Sequence, residues 1–163
     1  MSKLNLGSGT DIRPDYLNID IVPYNGTNIL CDIRHLPLED SSAEYIVAQH
    51  SLEYLPRRDV VPSLKEWRRV LKPGCHLEIR VLNLPALVKA LFLNSISGEM
   101  GLPAEMVLAL LYGGQKDKYN IIQSGFTSEL LQGMLAGLGF QIASIVMEEH
   151  DIIVSAVKVA SDV

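Results

Sequence analysis

Short apolar runs alternate with glycine, proline and acidic residues in the first third of the chain, a pattern that predicts β-strands. Only seven residues separate Gly9 from Leu17, so a crossover helix hardly fits between the first two strands. Either bare loops connect the early strands, or Asp20–Asp32 forms a local hairpin around Asn25-Gly26. The predicted strands are Lys3–Leu6, Leu17–Ile21 and Ala43–Gln49, with a further short candidate at Asn28–Asp32.

The rest of the chain combines helical periodicity with further strands. Apolar residues recur at intervals of three and four over Val60–Leu71, which predicts an amphipathic helix that Lys72-Pro73-Gly74 ends. An acidic turn over residues 148–151 is so short that the strands flanking it must form an antiparallel hairpin. The remaining predictions are helices at Pro85–Asn94, Ala104–Tyr112 and Thr127–Leu138, strands at His76–Leu82, Gln141–Met147 and Ile152–Val159, and an irregular polar segment at Gly113–Gly125.

This order of elements predicts an α/β fold. We expect a Rossmann-like, mostly parallel, seven-stranded sheet that ends in the C-terminal antiparallel hairpin and has helices on both faces. The length of 163 residues fits one domain over residues 1–163.

The composition disfavours several classes of protein but does not by itself indicate a function. Apolar residues make up 48% of the chain and charged residues 20%, as in a globular protein. The net charge of −5 removes the usual electrostatic case for nucleic acid. No apolar run approaches the roughly 20 residues that span a bilayer, so neither a secretory leader nor a membrane contact is expected. Cys31 and Cys75 cannot form a disulfide framework, which favours a reducing cytoplasm.

The candidate chemistry lies where the early strands end, the edge at which open α/β sheets bind nucleotides. Gly7 and Gly9 permit positive φ and let a ligand approach the backbone, although G-x-G is equally common in structural turns. Asp20 ends the second strand, where a carboxylate can accept hydrogen bonds from ribose hydroxyls, or simply face solvent. The cofactor-binding candidates are Leu6, Gly7, Ser8, Gly9, Asp20, Ile21, Asp32, Ile33, Gln49, His50 and Ser51.

Taken in order, these segments resemble class I S-adenosylmethionine-dependent methyltransferases over about Leu4 to Val81. The residues that carry the resemblance are NLGSGT, Asp20, Asp32-Ile33, LPLEDSSAEYIVAQHSLEYLP and LKEWRRVLKPGCHLEIRV. The chain is most similar to compact members with a shortened N-terminal half. It departs from the family pattern at Asn5, where an acid is usual, at Cys75, where the second glycine of K-P-G-G is usual, and at Glu44-Tyr45, where Phe-Asp is usual.

The resemblance implies S-adenosylmethionine as cofactor and methyl transfer to a small-molecule or carbohydrate-like acceptor. His50 is the candidate general base, because it follows the fourth strand directly. The candidate acceptor contacts are Tyr54, Tyr112, Gln115 and Asn120. No metal site is expected, because no histidine has a cysteine at metal-ligand spacing.

Two other functions stay open at this stage. A degenerate, non-catalytic methyltransferase-like module would bind a partner protein, and the abridged front half favours it. An NAD-dependent reductase is disfavoured by the missing third glycine of the dinucleotide fingerprint. A homodimer that covers the missing wall of the cofactor pocket is a further expectation.

Overall fold

Seven strands form one sheet in the order β3-β2-β1-β4-β5-β7-β6. The computed structural model describes residues 2–97 and 103–160. Within them the strands are β1 Ser2–Leu6, β2 Leu17–Asp20, β3 Ile29–Leu30, β4 Ala43–Gln49, β5 Leu71–Leu82, β6 Phe140–Glu148 and β7 Asp151–Lys158. The helices are α1 Arg57–Val70, α2 Leu84–Ser97, α3 Ala104–Tyr112 and α4 Ser128–Gly137, and a short 3₁₀ turn covers Leu52–Tyr54.

The strand directions confirm the expected fold class. Strands β1 to β5 pair in parallel, whereas β7 is antiparallel to both β5 and β6. The sheet is therefore mostly parallel, with the C-terminal hairpin inserted beside β5. The local hairpin over Asp20–Asp32 is wrong, because β3 runs parallel to β2 with Ile29 beside Ile19. Bare loops connect these strands, and the third strand is shorter than Asn28–Asp32.

Asparagine side chains hold the front half together where crossover helices are absent. The side-chain amide of Asn5 donates to Asn18 Oδ1 at 3.0 Å and to the main-chain oxygen of Asp11 at 2.7 Å. The Asn18 amide in turn contacts Asn28 Oδ1 at 3.2 Å, and Arg13 N–H donates to Asn18 Oδ1. An acidic residue in place of Asn5 has no N–H to donate, which explains this departure from the family pattern.

One face of the sheet carries almost all of the core. Residues of α1 and α4 join the same buried apolar cluster as alternate residues of β1, β4, β5 and β7. Trp67 lies at the centre of α1's buried side, is 0% exposed, and donates from Nε1 to the Ile33 oxygen at 2.9 Å. This hydrogen bond fastens the β3–β4 connection over the core.

The opposite face is covered less than expected. Apart from Val47, the strand residues pointing to that face are not among the buried apolar side chains of the described residues. The reason is local: helices between β1, β2 and β3 would cover this face, and residues 7–16 and 21–28 are too short to form them. The half-buried side chains on this face include Tyr45, Glu78, Arg80, Ile153, Ser155 and Val157.

Later helices follow the sequence closely. Helix α3 has the predicted bounds, and α4 begins after Thr127, whose hydroxyl accepts from the Leu130 N–H at 3.2 Å as a cap. Helices α1 and α2 start before the predicted Val60 and Pro85, at Arg57 and Leu84. Among residues 2–97 and 103–160, no helix combines the length and apolar character needed to cross a membrane.

Replacing Trp67 with Phe tests the anchor of the core. Trp67→Phe removes the hydrogen bond to Ile33 and part of a fully buried ring, so we expect a loss of about 1–3 kcal/mol in the free energy of unfolding. Urea unfolding followed by far-UV circular dichroism measures it. The control is Phe92→Leu, a comparable truncation at a side chain that is 62% exposed, which should change stability by less than about 0.5 kcal/mol. Equal effects of both changes would contradict this account.

Candidate functional site

A cavity of about 900 Å³ lies at the carboxyl ends of β1, β2 and β4. Of the residues expected to hold the cofactor, all but Leu6 line it: Gly7, Ser8, Gly9, Asp20, Ile21, Asp32, Ile33, Gln49, His50 and Ser51. Segments that are far apart in sequence thus meet at one edge of the sheet, as the strand order requires. Leu6 is fully buried and belongs to the core below the cavity.

The glycine loop bends sharply at the floor of this cavity. Gly7 has φ +64°, and its N–H donates to the Ile19 oxygen at 2.8 Å. A Cβ on Gly7 would lie 2.4 Å from Ser51 Cβ, so only glycine fits between β1 and the turn after β4. Gly9 also has a positive φ, +50°, but a Cβ there would meet nothing within 4 Å. The open space at Gly9 is room that a ligand can use.

Asp20 links the glycine loop to the end of β2. It is 8% exposed, and its two carboxyl oxygens accept from the N–H groups of Gly9 and Val22, each at 2.8 Å. A carboxyl oxygen can accept a second hydrogen bond, so ribose hydroxyls remain acceptable partners. The same contacts give Asp20 a structural role, because they set the shape of the loop.

Asp32 has a strong partner that the sequence did not indicate. Arg34 binds both of its carboxyl oxygens and also contacts Asp59 at 2.7 Å. Burial opposes ionisation of Asp32, but the hydrogen bonds from Arg34 prevail and hold its pKa below the ordinary value. An adenine amino group would therefore share this carboxylate with Arg34.

His50 lies between two acidic side chains at the cavity wall. Its Nδ1 is 3.3 Å from Glu53 Oε1, and its Nε2 is 3.5 Å from Asp151 Oδ2. The hydrogen bond to Glu53 raises the pKa of His50; burial opposes the shift, the charge of Asp151 adds to it, and Arg80 counteracts it. The imidazole is 40% exposed, so it remains accessible from the cavity.

Two serine hydroxyls show that the cavity suits a polar ligand. Ser8 and Ser51 are 4% and 5% exposed, and neither Oγ has a hydrogen-bond partner among the described residues. Buried hydroxyls without partners are uncommon and are satisfied when a ligand or water binds. Together with the space above Gly9 and the Asp20 carboxyl group, they offer hydrogen-bonding groups to a polar ligand in this cavity.

Comparison with known proteins identifies the family that the first half of the chain resembles. Residues 6–79 match a family model described as a methyltransferase domain. This stretch is a methyltransferase domain. The resemblance to class I S-adenosylmethionine-dependent methyltransferases is thereby confirmed, and the same match supports S-adenosylmethionine as the cofactor. No curated protein matches the chain.

Solved structures share the fold of this methyltransferase domain at low sequence identity. A chain described as a methyltransferase, in complex with the Trm112 methyltransferase activator of Haloferax volcanii, is 13% identical, with a TM-score of 0.66 over 99% of this chain and 83% of that one. The 1,6-didemethyltoxoflavin-N1-methyltransferase of Burkholderia thailandensis is 14% identical, with a TM-score of 0.66 over 98% and 71%. A methyltransferase of Aquifex aeolicus is 16% identical, with a TM-score of 0.61 over 98% and 82%.

The candidate acceptor residues are divided between two places. Tyr54 and Asn120 line the large cavity at the carboxyl ends of β1, β2 and β4. Tyr112 lines a separate, smaller cleft beside α2 and α3. Gln115 lines neither; its N–H donates to the Asn120 oxygen at 2.8 Å within the loop. Burial and the nearby charge of Glu53 raise the pKa of Tyr54, so its phenol stays protonated as a donor.

Several lining residues were not foreseen. Arg34 is the one that the sequence could have indicated most clearly, because a basic residue two positions after Asp32 can reach the Asp32 carboxylate. The polar segment from Tyr112 through Asn120 was expected to contact the substrate because it is long and irregular, and Lys116 to Asn120 of it line this cavity. The unforeseen lining residues are Thr10, Asp11, Val22, Tyr24, Arg34, Leu55, Pro56 and Gln123. No group of three or more potential metal ligands occurs in the described residues.

The two glycines of the loop form a matched pair for substitution. Gly9→Ala should cost about 1–2 kcal/mol of folding free energy, from positive φ alone. Gly7→Ala should cost a further 1–3 kcal/mol, roughly, because its Cβ would also collide with Ser51. Urea unfolding of both variants measures the difference. Equal stability of the two variants would show that the contact with Ser51 relaxes freely.

The charge on His50 should follow its two acidic neighbours. Its pKa is raised above the ordinary value near 6.5, so the stability it adds is complete below about pH 6.5 and is lost as the pH rises through the folded pKa. The unfolding free energy of His50→Gln should therefore approach that of the wild type at alkaline pH. Histidine NMR titration should also show that Glu53→Gln lowers the His50 pKa. A His50 pKa below 6.5 in the wild type would refute this electrostatic account.

Proposed function

We propose that this protein is an S-adenosylmethionine-dependent methyltransferase that acts on a small-molecule acceptor. The observation that carries the proposal is the single cavity in which the Gly7–Gly9 loop, Asp20, Asp32 and His50 come together. Its members lie far apart in sequence, and their convergence at one edge of the sheet supports the proposal. A structural turn at Gly7–Gly9 would not require the other three.

The chain's own residues suit the parts of this cofactor. Asp20 would accept from the ribose hydroxyls while it keeps its contact with Gly9 N–H. Ile33 and the Asp32–Arg34 pair would face the adenine. The free hydroxyls of Ser8 and Ser51 would bind the amino-acid end. When bound, the cofactor supplies an electrophilic methyl group on a sulfonium sulfur.

His50 is the residue we assign to proton transfer. In-line alignment of the acceptor supplies much of the rate of a methyl transfer, and a base adds to it when the acceptor is a hydroxyl or an amine. The neutral imidazole would take the acceptor's proton, and Glu53 and Asp151 would hold the ring and stabilise the resulting imidazolium. Because the His50 pKa is raised, the active neutral form becomes abundant only at a higher pH than for an ordinary histidine.

Calorimetric titration with S-adenosylmethionine and S-adenosylhomocysteine tests the proposal directly. We expect saturable micromolar binding of at least one of them and none of NAD. Asp20→Ala should weaken binding by at least about tenfold, since a charged hydrogen-bond partner is lost. Asp15→Ala, at an exposed position outside the cavity lining, is the matched control. Absence of binding at millimolar ligand by a folded sample would rule out a stand-alone enzyme, and NAD binding would indicate the reductase instead.

A partner-binding module is the second candidate. The half-buried sheet face favours it, as does Leu30 at the sheet edge, which is 60% exposed. The Haloferax volcanii relative occurs in a complex with an activator protein. A second copy of this chain, forming a homodimer, would cover the same face. A module of this kind would keep its partner after Asp20→Ala, whereas the enzyme would lose its cofactor. The free thiols of Cys31 and Cys75 fit a cytoplasmic location for either function.

A further inference from the structure

A second cleft of about 230 Å³ lies beside the cofactor cavity. Leucines of β5, α2 and α3 form most of its wall, and residues 122–125 close one side. Gly125 permits the close packing of that segment, because a Cβ there would lie 2.9 Å from Leu84 Cδ2. For comparison, an apolar cavity of roughly 150 Å³ in a protein core accommodates benzene. The cleft therefore has room for a substituted ring or a short branched chain.

The cleft and the cofactor cavity share a wall. Gln123 lines both of them, and its side-chain amide donates to the main-chain oxygen of Tyr54 at 2.8 Å. The main-chain N–H groups of Gln123 and Ser124 both donate to the main-chain oxygen of Glu53, at 2.8 and 3.0 Å. These bonds fix the wall in place. A molecule seated in the cleft would thus reach the cofactor cavity beside the turn that carries His50.

Glu53 is the one acidic residue of the cleft, and it is 1% exposed. Its Oε1 accepts from the Leu82 N–H at 2.8 Å and faces His50 Nδ1. Its Oε2 has no hydrogen-bond partner among the described residues. Two other polar side chains of the wall already donate to main-chain oxygens, Ser124 to Leu55 at 2.7 Å and Gln123 to Tyr54 at 2.8 Å. The remaining polar side chain of the wall, Tyr112, is 57% exposed. A buried carboxyl oxygen without a partner calls for a donor.

We infer that this cleft is the acceptor subsite, and that the acceptor is a compact apolar molecule with one amine or hydroxyl group, which donates to Glu53 in the bound state before His50 takes that proton during methyl transfer. The inference rests on the proposed methyltransferase function and narrows its acceptor class. A carbohydrate does not fit: each hydroxyl buried against the leucines without a partner costs about 1–3 kcal/mol. An aromatic or alicyclic amine or alcohol buries its ring there and keeps its single donor satisfied.

Binding of simple probes tests the subsite apart from catalysis. The probes are 2-phenylethylamine and 2-phenylethanol, which carry the donor, ethylbenzene, which lacks it, and glucose. Ligand-observed NMR with saturating S-adenosylhomocysteine reports binding to the wild-type chain. We expect both donor-bearing probes to bind more tightly than ethylbenzene, and glucose not to bind. The stronger of the two donor-bearing probes distinguishes an amine acceptor from an alcohol.

Two variants on α3 locate the binding. Leu111→Trp fills the cleft and should weaken the preferred probe by at least about tenfold. Leu108→Trp is the matched control, because Leu108 is 43% exposed and does not line the cleft. Calorimetry with S-adenosylhomocysteine, run on the same samples, should show unchanged cofactor binding in both variants.

The outcomes separate this inference from the function on which it rests. Intact cofactor binding with no probe binding, with glucose preferred, or with equal probe binding by Leu111→Trp would overturn the apolar acceptor subsite. Loss of all S-adenosylhomocysteine binding in the wild type would overturn the methyltransferase proposal. In that case, probe binding that Leu111→Trp abolishes would still show that the cleft is a binding site.

Discussion

Connection length is the constraint on which this structure depends. Residues 7–16 and 21–28 carry the chain between parallel strands without a helix, so the sheet is covered mainly on one face. Side-chain amides therefore help to position β1, β2 and β3. Asn5, Asn18 and Asn28 link the three strands across the uncovered face. An asparagine amide both donates and accepts, which a carboxylate in the same chain of contacts does not do. The short front half therefore requires asparagine at positions where a longer relative can use other residues.

The same constraint shapes the cofactor site. With no crossover helix after β1, no helix N-terminus faces the glycine loop from that side. The loop is held instead by Asp20 and by the Ile19 oxygen, which accepts from Gly7 and Ser8. Asp20 is thus part of both the loop contacts and the cavity wall, and a change there would affect both. Arg34 has a similar double position, because its pairing with Asp32 and Asp59 joins the Asp32 side of the cavity to the start of α1. The cavity is therefore held in shape by side chains that also line it.

The pattern of apolar and capping residues predicted those elements whose bounds depend on neighbouring residues in the sequence. The bounds of β4 and α3 agree with the sequence, and Thr127 caps α4 as its residue type indicates. Residues Gly7 to Ser51 could be placed at one edge because parallel strands align their carboxyl ends. The direction of β3 could not be predicted, since a glycine-containing loop permits either a hairpin or a parallel return. That Tyr54 and Tyr112 line different cavities could not be predicted, because the position of Tyr112 at the end of α3 depends on tertiary packing. The pairing of Arg34 with Asp59 likewise depends on contacts across the fold, whereas its pairing with Asp32 is local.

The position of Glu53 connects these parts into one mechanism. Its Oε1 faces His50, its main-chain oxygen holds the wall at Gln123 and Ser124, and its Oε2 is left without a partner. A donor that reaches Oε2 changes the field at the imidazole 3.3 Å from the other oxygen of the same carboxyl group. Occupation of the leucine cleft would thereby change the electrostatic potential at the His50 ring, the proposed proton acceptor. In the proposed enzyme, this arrangement would link recognition of the acceptor to the protonation of its base. In a degenerate module, the same carboxyl group would serve only to hold the Leu82 N–H and the His50 ring.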